Sequence, residues 1–367
     1  MGSFLSEESK LLIAEILSTH IGPQGIAPGA SLAVWQVDEE PWTVQAGNLG
    51  LTQLGDFGHP VTEDTVFDLA SLTKIATATV VARLLSGGEL EESDELLTLL
   101  GHRSGLPAWE PFFERVRADH AAGQGPAPGT AEARDRILEW AVATPRTDVG
   151  AHIYSDVGFL VLEALLEEAM GQHLADLVTQ RVFFPLGIGP EMGFRTVVSL
   201  ELSPSQVAGI APTEQCPWRK RVLCGEVHDD NCWTMGGIAS HAGLFGTALD
   251  VANLGLAWIE SIRGRNDFLE PTRARSFVTS SQPGTHAMGW DTAAPDGHSS
   301  AGSLAPSGTF GHLGFTGTSL WCAGDPPVAI ALLTNRVHPS RDDPHRDKVA
   351  MHRFRAALHD AVWAGIS

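Results

Sequence analysis

The hydrophobic pattern predicts strands near both ends of the chain and helices between them. Residues 31–37 and 42–46 are rich in β-branched and aromatic residues and flank an acidic turn, which indicates a β-hairpin. Residues 311–322 and 328–334 have the same character and are predicted to be neighbouring strands of a second hairpin. From residue 87 to about residue 235 the chain is mainly helical with long loops.

This order of elements predicts an α/β fold of the α+β type, with one sheet built from both ends of the chain. We expect an α/β sheet domain formed by residues 1–85 and 235–367, with a helical domain formed by residues 86–234 inserted into it. The sequence contains no internal repeat and no low-complexity tract that would indicate a different architecture.

One predicted helix carries a candidate nucleophile. After residue 67, apolar side chains recur at three- and four-residue steps until Gly87-Gly88, so Ser71 lies in the first helical turn and Lys74 one turn further on the same face. A serine hydroxyl is a poor nucleophile unless a base removes its proton. A lysine one turn away removes that proton or stabilises the alkoxide, and the helix N-terminus adds positive potential. Alone, Ser-x-x-Lys is more often a solvated helix start with an exposed lysine than a catalytic motif.

Composition and charge narrow the range of functions. The chain has 367 residues, 43% hydrophobic and 19% charged, as in globular proteins with a substantial core. A formal net charge of −20 argues against nucleic acid and anionic membranes as partners. No apolar run reaches transmembrane length, and the N-terminus lacks the basic start of a secretory signal. The chain as given is predicted to be cytoplasmic, or periplasmic or secreted if a signal has been removed.

The four cysteines provide no disulfide framework for a chain of this size. Cys216, Cys224 and Cys232 are spaced by eight, with His228 between two of them. Structural zinc sites usually pair ligands two to four residues apart, so free thiols are the favoured interpretation over a metal site. No metal or other cofactor is predicted.

Tyr154, the only tyrosine, opens the triplet Tyr154-Ser-Asp156 before a long apolar helix. The ordinary role of a lone tyrosine is packing, with its hydroxyl bound to one partner. The functional interpretation is a phenolate that takes the serine proton and returns it to the leaving group. Because the reference pKa of tyrosine is near 10, this role requires Lys74 close by.

The segment from His312 to Gly317 is the third candidate. A glycine-punctuated edge strand is its structural interpretation, but glycine in a strand also marks close approach of a ligand to the backbone. The N–H of Phe315 is predicted to pair with the N–H of Ser71 as an oxyanion hole.

Together, three triplets resemble the serine β-lactamase-related family, in the branch of class C β-lactamases, D-alanyl-D-alanine carboxypeptidases and family VIII carboxylesterases. They are Ser71-Leu-Thr-Lys74, Tyr154-Ser-Asp156 and His312-Leu-Gly314, in the family's order. The similarity runs from about residue 25 to the C-terminus and includes residues 100–107, 182–187 and 241–245. It implies a β-lactamase/transpeptidase-like fold, an antiparallel sheet flanked by helices with an inserted helical domain, and an active site between the domains.

The resemblance also implies roles for individual residues. Ser71 is the expected acylated nucleophile, and Lys74 and Tyr154 are the expected base and acid pair. The N–H groups of Phe315 and Ser71 are the expected oxyanion hole. The resemblance places His312 beside the substrate, where lysine often stands.

Three departures from the family pattern limit this transfer. Asp156 stands where asparagine is commoner, and its carboxylate is expected to hold Lys74 protonated, which shifts the base role toward Tyr154. Leu313 replaces the threonine that helps bind a substrate carboxylate. His312 is a weaker carboxylate anchor than lysine because its charge depends on pH.

A polar cluster at residues 225–233 has two open interpretations, a loop that lines the substrate cleft and a hydrogen-bonded structural loop. For residues 335–338 the structural interpretation is favoured. The predicted substrate-binding residues are Asp156, His228, Asp229, His312, Leu313 and Gly314.

The sequence therefore predicts a serine hydrolase that cleaves an ester or amide in a small-molecule or peptide-like substrate through a Ser71 acyl-enzyme. Leu313 and the lack of a secretion signal favour this over efficient β-lactam turnover. The alternatives are a D-Ala-D-Ala carboxypeptidase or β-lactamase with its signal removed, an acyltransferase, an inactive penicillin-fold binding protein and a zinc-dependent hydrolase. The oligomeric state is left open.

Overall fold

A six-stranded antiparallel sheet forms the centre of the protein. The computed structural model describes residues 4–50, 58–189, 192–196, 209–280, 284–294 and 298–366. The strand order is β2-β1-β11-β10-β9-β8, so strands from the two ends of the chain meet at the β1–β11 pair. These strands are β1 (Gly29–Gln36), β2 (Trp42–Gly47), β8 (Asp291–Thr292), β9 (Phe310–Leu313), β10 (Ser319–Gly324) and β11 (Pro327–Thr334).

The hairpin expected near the N-terminus is confirmed as β1 and β2. The expectation for the C-terminal hairpin is partly wrong. Residues 311–322 hold the two antiparallel strands β9 and β10 instead of one, and β10 then pairs with β11. Strand β9 ends just before Gly314. The Gly314 N–H donates to the carbonyl oxygen of Thr318 at 2.7 Å and closes the tight turn that leads into β10.

Helices surround this sheet and fill the middle of the chain. They are α1 (Glu7–His20), α2 (Thr73–Ser86), α3 (Asp94–Leu100), α4 (Phe112–Ala121), α5 (Ala131–Val142), α6 (Asp156–Met170), α7 (Leu174–Val178), α8 (Phe184–Leu186), α9 (Asp230–Thr234), α10 (Ala248–Ile262), α11 (Pro271–Val278) and α12 (Lys348–Gly365). The Thr130 hydroxyl caps α5 by accepting from the N–H of Ala133.

The sheet is buried on both faces. Alternate residues such as Leu32 and Leu332 point toward α1 and α12, where they join Leu17 and Leu358 in one apolar cluster. The opposite face packs on α10, whose Trp258 belongs to the larger core cluster. Strands buried on both faces read as near-continuous apolar runs, which is why β11 shows little alternation.

Two small sheets complete the fold. The first has the order β3-β7-β4, formed by β3 (Phe67–Asp68), β4 (Gly193–Phe194) and β7 (Leu244–Gly246). The second pairs β5 (Gln215–Cys216) with β6 (Arg221–Val222). Because β3 leads directly into the segment that carries Ser71, the first small sheet fixes the start of α2.

Within the ranges given above, none of the helices combines the length and the apolar character that crossing a bilayer requires.

Candidate active site

Ser71 lies in a short 3₁₀ turn, Ala70–Leu72, between β3 and α2. It precedes the α-helix proper, whereas the sequence pattern predicts it inside the first α-helical turn. Ala70 adopts a left-handed backbone conformation with φ of 49°, which is costly for a residue with a Cβ. The buried Asp68 carboxylate holds this bend by accepting from the N–H groups of Ala70 at 2.9 Å and His228 at 2.6 Å. The backbone conformation that presents Ser71 to the cleft is therefore imposed by tertiary contacts.

Lys74 is fully buried, and its ammonium group donates hydrogen bonds to neighbouring oxygen atoms. The Nζ atom donates to Ser71 Oγ at 3.2 Å, to Asp156 Oδ1 at 2.6 Å and to the carbonyl oxygen of His241 at 3.3 Å. Burial alone would lower the pKa of Lys74, but the adjacent Asp156 charge outweighs it and holds that pKa above its ordinary value. The lysine beside Ser71 is therefore an ammonium ion at neutral pH.

Tyr154 and Asp156 reach Lys74 from the start of α6. The Ser155 hydroxyl caps this helix by accepting from the N–H of Gly158 at 2.8 Å, which fixes the residues on both sides of it. The Lys74 ammonium lies 4.9 Å from the centre of the Tyr154 ring. Burial raises the pKa of Tyr154, and the neighbouring Lys74 charge offsets this only in part, so the hydroxyl keeps its proton at neutral pH.

The end of β9 packs directly on the segment that precedes Ser71. A Cβ atom built on Gly314 would lie 2.0 Å from Thr318 Oγ1 and 2.8 Å from the Leu69 carbonyl oxygen, so only glycine fits. Thr318 donates to that same carbonyl oxygen at 3.1 Å. These contacts bring the backbone of Phe315 to the side of the cleft that holds Ser71.

The two other predicted residues of β9 also lie at the cleft. His312 is buried, and its Nδ1 lies 2.8 Å from the carbonyl oxygen of Leu313. Burial, together with the charge of Lys74, holds the pKa of His312 well below its ordinary value. His312 is therefore neutral at neutral pH and offers no positive charge to a substrate carboxylate.

His228 and Asp229 combine the two roles proposed for their loop. His228 contacts Glu214 at 3.1 Å, and its ring stacks on Phe315 with centroids 5.6 Å apart. Asp229 caps α9 and lies 3.1 Å from His241 Nε2. Both residues line the cleft while their side chains hold neighbouring segments in place.

A cavity of about 710 Å³ joins these residues. Its lining includes Ser71, Tyr154, Asp156, His228, Asp229, His241, His286, His312, Leu313, Gly314 and Phe315. Every predicted substrate-binding residue is in this set, and Lys74 lies behind Ser71. By contrast, Asn335 serves the structure, because its side-chain amide bonds the backbone of Gly29, Leu49 and Pro212.

The sequence analysis missed three histidines of the site. His241 supplies a carbonyl oxygen to Lys74, and its ring pairs with Asp229. His102 and His286 pack against Tyr154, with ring centroids 4.5 Å and 5.2 Å away. No spacing signal in the sequence links these positions, because they converge only through the tertiary fold.

The cysteines lie apart from this chemistry. Cys216, Cys224 and Cys232 are buried, and Cys232 Sγ donates to the carbonyl oxygen of Ala242 at 3.3 Å. Among the residues that the structure describes, no three or more His, Cys, Asp or Glu side chains are grouped so as to hold a metal ion.

Comparison with known proteins identifies the family. The model of the Beta-lactamase family matches residues 17–353, which is most of the chain. The chain belongs to the β-lactamase family. Among curated relatives is a protein named as a D-alanyl-D-alanine carboxypeptidase, from Escherichia coli (strain K12). It is 28% identical over 328 residues, which cover 78% of this chain and 72% of that protein.

Solved structures share the fold of this β-lactamase family member. A D-amino acid amidase from Ochrobactrum anthropi SV3, complexed with L-phenylalanine amide, gives a TM-score of 0.66 at 18% identity, covering 98% of this chain and 100% of that one. EstCE1, described as a hydrolase with promiscuous acyltransferase activity, gives a TM-score of 0.67 at 18% identity, covering 97% and 99%. These likenesses confirm the β-lactamase/transpeptidase-like fold, and together with the family they make the protein a hydrolase.

Proposed function

We propose that the protein is a serine hydrolase that cleaves an amide or ester bond through an acyl-enzyme on Ser71. The observation that carries the proposal is the position of Lys74 Nζ, which donates to Ser71 Oγ while bound to Asp156 at 2.6 Å. A buried ammonium at this position stabilises the negative charge that develops on the serine oxygen during attack. The fixed ion pair means that no group has to reorganise for this stabilisation.

In this proposal Ser71 Oγ attacks the substrate carbonyl carbon, and its proton passes to the Tyr154 oxygen as the Tyr154 hydroxyl gives its own proton to the leaving group. The N–H groups of Ser71 and Phe315 stabilise the oxyanion of the tetrahedral intermediate. The protonated leaving group departs, and the acyl group stays on Ser71. Water repeats the sequence to release the acid and restore the serine.

For the substrate, we propose a small peptide-like amide or an ester. A cavity of about 710 Å³ has room for a compact molecule. The relative named as a carboxypeptidase and the neighbour named as an amidase both support amide chemistry. Leu313 and the neutral His312 argue against a substrate held by a carboxylate at β9. Asp156, His228, Asp229 and Gly314 form the remaining wall against which we place the substrate.

Steady-state kinetics on three substrates test this proposal. The wild type is assayed with a D-amino acid amide, a peptide ending in D-Ala-D-Ala and a p-nitrophenyl ester of a short acid. We expect Ser71→Ala to abolish turnover of each substrate that the wild type hydrolyses. Ser86→Ala, at an exposed serine that ends α2, serves as the matched control and keeps wild-type rates. Turnover that survives Ser71→Ala contradicts the proposal.

A further inference from the structure

Two buried arginines lie behind the turn that joins β9 to β10. Arg336 lies two residues after β11 and is 4% exposed, and Arg355 lies in α12 and is 7% exposed. Burial, together with the charge of Arg336, lowers the pKa of Arg355 to about 9. Neither guanidinium forms an ion pair with a carboxylate in the part of the chain that the structure describes. Burying a cation without an anion is costly, so these two positions call for an explanation.

Both guanidinium groups bind carbonyl oxygens of the turn instead. Arg355 Nη2 donates to the Gly314 carbonyl oxygen at 3.2 Å and to the Thr318 carbonyl oxygen at 2.6 Å. Arg336 Nη2 donates to the Phe315 carbonyl oxygen at 2.6 Å. Hydrogen bonds from a charged donor are stronger than those between neutral groups. The two cations therefore hold the carbonyl groups before and after the backbone nitrogen of Phe315.

The Gly314 carbonyl and the Phe315 N–H belong to one peptide group, which is trans. A trans peptide is planar, and its C=O and N–H bonds point in opposite directions. Holding the carbonyl oxygen therefore fixes the direction of the N–H as well. No oxygen atom among the described residues accepts a hydrogen bond from this N–H. Because Phe315 lines the cleft together with Ser71, the free N–H is available to a substrate oxygen.

The turn contains two glycines, which explains the use of a clamp from outside it. Gly317 has a φ of 101°, and its N–H donates to the Gly314 carbonyl oxygen at 3.1 Å. Glycine leaves the backbone more conformations than any other residue, so this neutral bond between two glycines restrains the peptide weakly. Arg355 adds a charged donor from a long helix and links the two ends of the turn, Gly314 and Thr318.

We propose, on the basis of the serine hydrolase function above, that Arg355 positions the Gly314–Phe315 peptide as an oxyanion donor, with support from Arg336. The guanidinium fixes the peptide plane before the substrate arrives. It also draws electron density toward the carbonyl oxygen, which makes the N–H a stronger donor. A donor that is already in place stabilises the tetrahedral intermediate without reorganisation. Arg355 acts through the peptide and is therefore a positioning residue.

The test replaces Arg355 with methionine, which fills much of the buried volume but removes the donors and the charge. Turnover is measured with p-nitrophenyl butyrate, an ester without a carboxylate. Rates are expressed per reactive serine, counted by titration with an activated phosphonate ester. We expect kcat of Arg355→Met to fall between about 10-fold and about 100-fold, the upper figure being the loss of a whole oxyanion donor. KM should change little, because the interaction develops during attack.

Inhibition by phenylboronic acid supplies a readout that loss of folded protein does not move. Its tetrahedral adduct with serine places a negatively charged oxygen where the oxyanion forms, so the inhibition constant should rise by the factor by which kcat falls. Arg346→Met is the matched control. It removes a buried arginine that donates to the carbonyl oxygens of Pro23 and Gly25, away from the turn, and should keep both constants.

Arg355→Lys is the second variant and decides the question if Arg355→Met does not fold. Lysine keeps the buried charge on a side chain one bond shorter, so it holds the two carbonyl oxygens less well. We expect kcat and inhibition to change together, by a smaller factor than in Arg355→Met. Wild-type constants in Arg355→Met, or in Arg355→Lys where Arg355→Met does not fold, would overturn the proposal.

Two further results would also overturn it. A fall in kcat with unchanged inhibition by phenylboronic acid would mean that the oxyanion is not involved. A defect seen with peptides that end in a carboxylate but not with p-nitrophenyl butyrate would assign Arg355 to direct binding of the substrate.

The same assays distinguish this inference from the function on which it rests. Ester turnover that survives Ser71→Ala removes the serine hydrolase proposal itself. Turnover that depends on Ser71, with wild-type constants in the folded Arg355 variants, removes only the role of Arg355.

Discussion

The ion pair between Lys74 and Asp156 sets the chemistry of the site at the scale of single residues. An unpaired buried ammonium would release its proton, because burial disfavours charge. With Asp156 at 2.6 Å, the lysine stays charged, and in the proposed reaction it serves as an electrostatic stabiliser. This proposed role differs from that of a general base, and the Asp156 carboxylate is the reason for the difference.

Replacing Asp156 with asparagine should reverse the direction in which the stability of the protein changes with pH as Lys74 titrates. The wild-type pKa of Lys74 lies above its ordinary value of 10.5, so this contribution to stability is complete below pH 10.5 and is lost as the pH rises through the folded-state pKa. In Asp156→Asn the neighbouring negative charge is gone, so burial lowers the pKa of Lys74. The variant should therefore be destabilised by about 3 kcal/mol at pH 7 and should gain stability as the pH approaches 10.5.

Urea unfolding between pH 7 and pH 10 measures this difference. Asp135→Asn makes the same chemical change at an exposed carboxylate 3.9 Å from Arg134 and is expected to follow the wild-type pH dependence. If Asp156→Asn also follows the wild type, the ion pair does not hold the lysine charged.

The three triplets stand in a recognisable order and their residues meet at one cleft, while their catalytic roles stay predictions. The effect of Asp156 on Lys74 followed from charge alone and agrees with the structure. His102, His241 and His286 were missed, since a single histidine in a sequence carries no sign of its neighbours. The left-handed conformation of Ala70 also left no trace in the sequence, because alanine gives no preference for it.

At the scale of elements, the turn between β9 and β10 connects the sheet to the segment that carries Ser71. The sequence predicted one strand here because glycine and threonine are compatible with both a strand and a turn. Contacts of Gly314 and Thr318 with the Leu69 carbonyl oxygen decide the outcome, and these are tertiary. The helices after Ser71 and after Asp156 were predicted, because their apolar periodicity is local to each element, whereas α10 in the C-terminal part was not.

Gly314→Ala should displace this turn and impair catalysis more than folding. The added Cβ meets Thr318 Oγ1 and the Leu69 carbonyl oxygen, so the backbone of Phe315 must move away from Ser71. Losing one oxyanion donor costs about 100-fold in kcat, and we expect a decrease of that size. Gly324→Ala, at the end of β10 with no atom near its added Cβ, is the control and should keep full activity. Equal kcat in the two variants would contradict the role given to Phe315.

At the scale of the whole molecule, the net charge of −20 opposes compaction through self-repulsion. The division into a sheet domain of residues 1–85 and 235–367 and a helical domain of residues 86–234 stays a prediction, as does the compartment. The central sheet does take strands from both ends of the chain, as the hydrophobic pattern indicated. Which helices cover each face was not predictable, because all of them carry apolar stripes.

Added sodium chloride should raise the melting temperature at pH 7 by a few degrees, because salt screens the repulsion between acidic groups. Near pH 5.0, the isoelectric point calculated from the sequence, the net charge vanishes and the same addition should have little effect. Differential scanning calorimetry at the two pH values checks this. A salt effect at pH 5 as large as that at pH 7 would mean that net charge does not limit stability.

The central claim is that Ser71 is the nucleophile, and labelling with an activated phosphonate ester tests it most directly. Such a reagent leaves a stable adduct on a nucleophilic serine, so intact-protein mass and peptide mapping locate the reaction. We predict one adduct per wild-type chain, on Ser71, and none on Ser71→Ala. An unlabelled wild type, or equal labelling of Ser71→Ala, would contradict the account.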